Sequence, residues 1–237
     1  MSVTMEPTRR GLSLVASASS AEAGRLVQAD VDGYLWIKRG GVVAYTGDLR
    51  FHLAPVVHSD HVGVHRGPIR DAIKRELAPL SKAEGRGRLL LSNDGHGNQI
   101  VELTGDTLFV ASPSLLAFEP SLAHDLMFFG GSLAIPGGVL VVKLAGHGRV
   151  AISFANQATT IPVTSDAPVS VDPAALVSWA GDCWPRLKTD LDAGSIVGHG
   201  GGQPIQLLFS GDGDVTVQAR RHMDLTSTLT GLLKRVI

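Results

Sequence analysis

Apolar and polar residues alternate along three stretches of the chain, each centred on two glycines flanking a polar residue. They are Leu89 to Leu103 around Gly95-His96-Gly97, Leu140 to Phe154 around Gly146-His147-Gly148, and Ile205 to Ala219 around Gly211-Asp212-Gly213. A strand sends successive side chains to opposite faces, so alternation at period two marks a strand with one buried face. Every second residue of the middle stretch gives Leu140, Val142, Leu144, Val150, Ile152 and Phe154. The last gives Ile205, Leu207, Phe209, Val215, Val217 and Ala219, and the first breaks the pattern only at Asn93 and Gln99. The opposite faces are mostly polar. With glycines at the centre, the pattern predicts strand, tight turn, strand: three hairpins of a half-buried antiparallel sheet.

A second element follows two of these stretches. Gly105 to Val110 leads to Pro113, and Asp166 to Val171 leads to Pro173; the prolines close these strands and short apolar runs, Leu115 to Phe118 and Leu176 to Trp179, come next. Gly47 to Leu53 resembles Gly105 to Val110 and predicts a degenerate first unit containing Trp36 to Tyr45. Helix is expected in two places. Pro68 suits a helical first turn running to Ala78, and Leu225, Leu229, Leu232, Leu233 and Val236 line one face of a second segment with Asp224 as cap. The expected fold class is all-β: three tandem sandwich-like or barrel-like repeats, approximately 27–92, 93–145 and 146–219, forming a single body over 1–237 with two short helices, the C-terminal one at 224–236.

Composition narrows the function. Of 237 residues 44% are apolar, enough for a sizeable core, and 28 glycines imply many turns. A net charge of −1 gives no field to draw in nucleic acid or anionic lipid, so no nucleic-acid partner is expected. Cys183 is the single cysteine, which excludes an internal disulfide and a cysteine-rich metal site. The chain holds no apolar run of signal-peptide or membrane-span character, so the cytoplasm is the expected compartment and no membrane span is expected.

No motif assembles an active site. His199-Gly200-Gly201-Gly202 has the look of an esterase oxyanion loop, but its nucleophile motif is missing: Gly130-Gly131-Ser132-Leu133-Ala134 ends in alanine. The glycine pairs are followed by strands rather than by the helix a dinucleotide requires. Phosphate-loop, His-Glu-x-x-His and Cys-x-x-Cys motifs are absent, so no enzyme and no cofactor are expected. One cluster has metal-ligand chemistry: His58, His61 and His65, with His52 and Asp60 nearby, could bind zinc if their loop folds back, but a solvated loop between the Phe51 strand and the Pro68 helix is the simpler reading, because strand spacing scatters these side chains. His96, His147 and Asp212 share one place at the three expected turn tips. Lys234 and Arg235 beside an apolar face permit membrane-surface binding, but two cations contribute little, and docking on the chain's own sheet is the simpler reading.

In order, Gly40-Gly41-Val42-Val43-Ala44-Tyr45-Thr46-Gly47, Lys74-Arg75-Glu76-Leu77, Gly95-His96-Gly97, Gly146-His147-Gly148, Val171-Asp172-Pro173 and Gly211-Asp212-Gly213-Asp214-Val215 resemble the altered-inheritance-of-mitochondria family. The resemblance runs from about Val27 to Ala219. It implies a fold similar to the tryptophan RNA-binding attenuation protein, with three β units in pseudo-threefold arrangement, and it implies no catalytic residue. A mitochondrial member's association with inner-membrane organisation implies an assembly role. The resulting expectation is a non-enzymatic cytoplasmic protein that self-associates, a homo-oligomer with three copies as the first guess, acting as scaffold or assembly factor with a protein partner. The alternatives are a small-molecule or metal-binding module using an inter-repeat pocket or the His52 to His65 loop, and a hydrolase using the Gly198 to Gly202 loop.

Overall fold

The computed structural model describes residues 11–15, 26–53, 80–93, 97–129, 139–155, 157–189 and 205–219. They form strands β1 (Gly11–Val15), β2 (Leu26–Lys38), β3 (Val42–Leu53), β4 (Leu80–Leu91), β5 (Gly97–Ala111), β6 (Leu115–Phe118), β7 (Ala123–Phe129), β8 (Val139–Phe154), β9 (Ala158–Val163), β10 (Val169–Val171), β11 (Leu176–Thr189) and β12 (Ile205–Gln218). All belong to one antiparallel sheet in the order β10-β12-β11-β5-β8-β6-β2-β4-β3, with β1 beside β2, β7 beside β8 and β9 beside β12. The all-β class read from the sequence is therefore the class observed. Both expected helices, at 68–78 and 225–236, lie outside the described residues.

The three hairpins are corrected. Gly146 to Gly148 lie inside β8 and Gly211 to Gly213 inside β12, each a single strand. Leu89 to Leu103 spans the end of β4 and the start of β5, which do not pair: β4 lies between β2 and β3, and β5 between β11 and β8. The long strands pair in antiparallel couples, β2 with β4, β5 with β8 and β11 with β12. His147 and Asp212 consequently sit exposed in mid-strand rather than at turn tips. The prolines do mark corners: Ser112–Ser114 and Pro173–Ala175 are single 3-10 turns leading into β6 and β11. In the second of these, Asp172 Oδ1 accepts the Ala174 N–H at 2.9 Å and fixes the turn.

Three apolar clusters hold the sheet together. One gathers Val27, Ala29, Val31, Leu35 and Ile37 of β2 with Leu89 and Leu91 of β4 and Leu116 of β6. The second joins Leu103 and Val110 of β5 to Phe118 and to Val142, Leu144, Val150 and Ile152 of β8. The third packs Phe109, Val141, Trp179, Leu207, Phe209 and Val215. Burial of each such side chain stabilises the fold by about 1.5–3 kcal/mol. The half-buried pattern expected of every strand holds in β12, where Leu207, Phe209 and Val215 are buried and Asp212 and Asp214 exposed. It fails in β8, where Val141, Ala151 and Ser153 on the other face are buried as well. Strand β8 is central in the sheet, so clusters cover both its faces.

Candidate functional site

The β2-β4-β3 end of the sheet has two unlike faces. Even-numbered residues of the three strands align in rows: Asp30 opposite Arg88 opposite Thr46, then Asp32 opposite Arg86 opposite Asp48. Arg88 Nε donates to Asp30 Oδ1 at 2.9 Å, and Arg86 Nη2 donates to Asp32 Oδ1 at 3.0 Å. Asp30, Asp32, Thr46, Arg86 and Arg88, with Val31, Gly47 and Gly87, line a groove of about 560 Å³. Two residues further along, Lys82 donates to Glu84 at 3.0 Å and stands 4.5 Å over the Tyr34 ring. The exposed pairs, Arg86 with Asp32 and Lys82 with Glu84, contribute at most about 1 kcal/mol each, whereas Arg88 with Asp30 is partly buried. Chemically the groove offers no activated group: its carboxylates are engaged by guanidiniums and its sole hydroxyl, on Thr46, has no histidine or lysine among the lining residues to activate it. The ladder has a local signal in the sequence. Asp-x-Asp at 30 and 32 and Arg-x-Arg at 86 and 88 put like charges on one strand face, which is tolerable when the facing strand has the opposite sign.

The odd-numbered face is the apolar one, and it continues past the core. Tyr45, Gly47, Leu49, Phe51 and Leu53 of β3 stand opposite Leu89, Gly87, Gly85, Ala83 and Ser81 of β4. Leu49 is buried, but Tyr45, Phe51 and Leu53 remain 52%, 40% and 58% exposed. Tyr45 and Phe51 meet edge to face at 5.2 Å. β3 ends the sheet, with no strand on its outer side among the described residues.

The candidate metal ligands His58, His61 and His65 lie outside the described residues, as do Asp60, His96 and the 198–202 glycine loop. His52 is exposed on β3 with Nε2 4.0 Å from Glu84. Among the described residues no three His, Cys, Asp or Glu side chains are grouped to hold a metal ion, and no helix is long and apolar enough to cross a membrane. Burial pushes the Cys183 thiol up from its ordinary pKa, with Asp214 and Asp182 adding to the effect. The buried sulfur stays protonated and lies 3.5 Å from the Ala180 carbonyl, so it is a packing group rather than a nucleophile.

His124 carries the clearest pH signature. Its ring lies 4.9 Å from Trp36 and 5.2 Å from Phe118, and this burial lowers its pKa below 6.5 against the opposing pull of Asp125. The unfolded chain therefore takes up a proton before the folded one as pH falls through 6.5. The contribution is neutral above that point and becomes destabilising below it. Urea unfolding between pH 6.5 and about pH 5 should show a falling midpoint, and His124→Phe should flatten the slope; an unchanged slope in the variant would place the titrating group elsewhere.

By fold this is an all-β protein built on one antiparallel sheet of long strands with positive-φ glycines in mid-strand. Residues 19–220 match the family described as Mitochondrial biogenesis AIM24, and the chain belongs to that family, the one its ordered motifs resemble. The fold is similar to that of a Streptococcus pyogenes protein known from a structural-genomics crystal structure. The TM-score is 0.65 at 18% identity, over 95% of this chain and 100% of that one. No curated protein matches the chain.

Proposed function

We propose that this chain is a non-enzymatic, self-associating scaffold or assembly protein of the cytoplasm. One observation carries the reading: the apolar face of the β2-β4 sheet runs on to β3, where Tyr45, Phe51 and Leu53 stay exposed beside an outer edge that pairs with no strand among the described residues. A free edge with apolar side chains is a template for another strand, and oligomerisation is a common way of covering it. The three long strand couples, each with glycines near its middle, and the three clusters support a repeated β unit in the pseudo-threefold manner of the tryptophan RNA-binding attenuation protein. That protein's RNA binding is not carried over, because a net charge of −1 supplies no phosphate-binding field. Light scattering at micromolar concentration tests the proposal. A mass of two or more copies is expected, and a monomer would remove it.

A further inference from the structure

Strand β3 carries its charges in a self-complementary order. Asp48 and Arg50 are two residues apart on its polar face, both exposed, and neither is ion-paired among the described residues. They flank Leu49, the one buried residue of the strand. If a second β3 lies antiparallel against the outer edge, which no described strand occupies, with a two-fold axis at Leu49, residue numbers across the contact sum to the same value. Asp48 then stands opposite Arg50 of the second copy, and Arg50 opposite its Asp48, so each dimer holds two opposite-charge pairs. On the apolar face, Tyr45 meets Leu53 of the second copy and Phe51 covers Gly47, which has no side chain of its own to do so. Any register displaced by two residues loses at least one of these matches. A parallel arrangement in register would instead set Asp48 against Asp48.

We infer that a second copy of this chain docks on the β3 edge as an antiparallel, two-fold strand pair centred on Leu49. This rests on the self-association reading and specifies its site, register and symmetry. Such a contact is isologous and closes at two copies, whereas three copies would need β3 to meet a different edge.

The test is charge exchange, read by light scattering over a dilution series, with circular dichroism confirming that each variant keeps its fold. Wild type is expected to be dimeric. Asp48→Arg and Arg50→Asp each create two like-charge contacts per dimer, and each should weaken dimerisation about tenfold or more. The double variant, Asp48→Arg with Arg50→Asp, restores both pairs with reversed polarity and should return the dimer. Recovery in the double variant is something a general loss of surface solubility or fold would not produce. A dimer indifferent to the single changes, or one not recovered by the double, would overturn the edge or its register. A wild-type trimer would overturn the two-fold while leaving self-association standing, and a wild-type monomer would overturn both.

Discussion

Replacing Trp179 by alanine is expected to cost about 3–5 kcal/mol of unfolding free energy, a large share of the 5–15 kcal/mol typical of a domain. Trp179 is 1% exposed and stacks on Phe109 at 4.7 Å with the rings 5° from parallel. Phe129 and Phe209 close on it edge-on, each at 5.4 Å. Its position concentrates the effect. The ladder joining β11 to β5 consists of Ser178 opposite Val110, Trp179 opposite Phe109 and Ala180 opposite Leu108. The indole thus packs where the β11-β12 couple attaches to the rest of the sheet, and its loss leaves a cavity at that seam. Urea unfolding and the near-ultraviolet circular dichroism of the aromatic cluster check this, and a cost below about 1 kcal/mol would mean that the cluster is not holding the seam. Trp179→Phe should cost clearly less than alanine. It keeps a ring against Phe109 and removes the Nε1–H, which is buried without a hydrogen-bond partner and so costs about 1–3 kcal/mol where it stands.

The same seam shows how far the sequence could be read. Pattern alone identified Leu207, Phe209 and Val215 as one buried face, and the prolines at 113 and 173 marked the corners before β6 and β11. It did not separate a hairpin from a continuous strand. The residues used for the apolar face, such as Leu144 and Val150, are an even number of positions apart, so an unbroken strand keeps them on one face as surely as a turn would. Strands of ordinary length run about 3–10 residues, which favoured placing a turn at the glycines, yet β8 has 16 residues and β12 has 14. Burial of Val141 and Ala151 was equally hidden. It follows from the neighbours of β8 in the sheet, a non-local fact that no local window contains. The same holds for the charged ladder, whose two halves at Asp30 and Arg88 meet only once β2 and β4 are paired. The candidate metal histidines at 58, 61 and 65 fall outside the described residues.

If the mid-strand glycines are there because backbones approach closely, rather than because the chain turns, two glycines of nearly equal φ should respond unequally to the same methyl group. Gly211 has φ +113° and Gly33 has φ +115°. Both conformations are strained for any L-residue, which costs about 1–3 kcal/mol. Their surroundings differ. A Cβ on Gly33 would meet nothing within 4 Å, whereas one on Gly211 would run into the Asp182 carbonyl oxygen and stand 3.2 Å from the Cys183 Cα. Those are backbone atoms of the paired strand, where Cys183 faces Gly211 and Gly181 faces Gly213, so relief requires β11 and β12 to separate. Gly33→Ala is therefore expected to cost only the conformational strain, and Gly211→Ala that strain plus at least about 2 kcal/mol, by analogy with overpacked cores. Thermal and urea unfolding of the two variants side by side read the difference directly. Equal costs would mean that β11 accommodates the methyl group and that positive φ alone explains the glycine; a larger loss at Gly33 would reverse the argument. The expected order, Gly211 well above Gly33, makes the close contact of two long bent strands a requirement of this sheet.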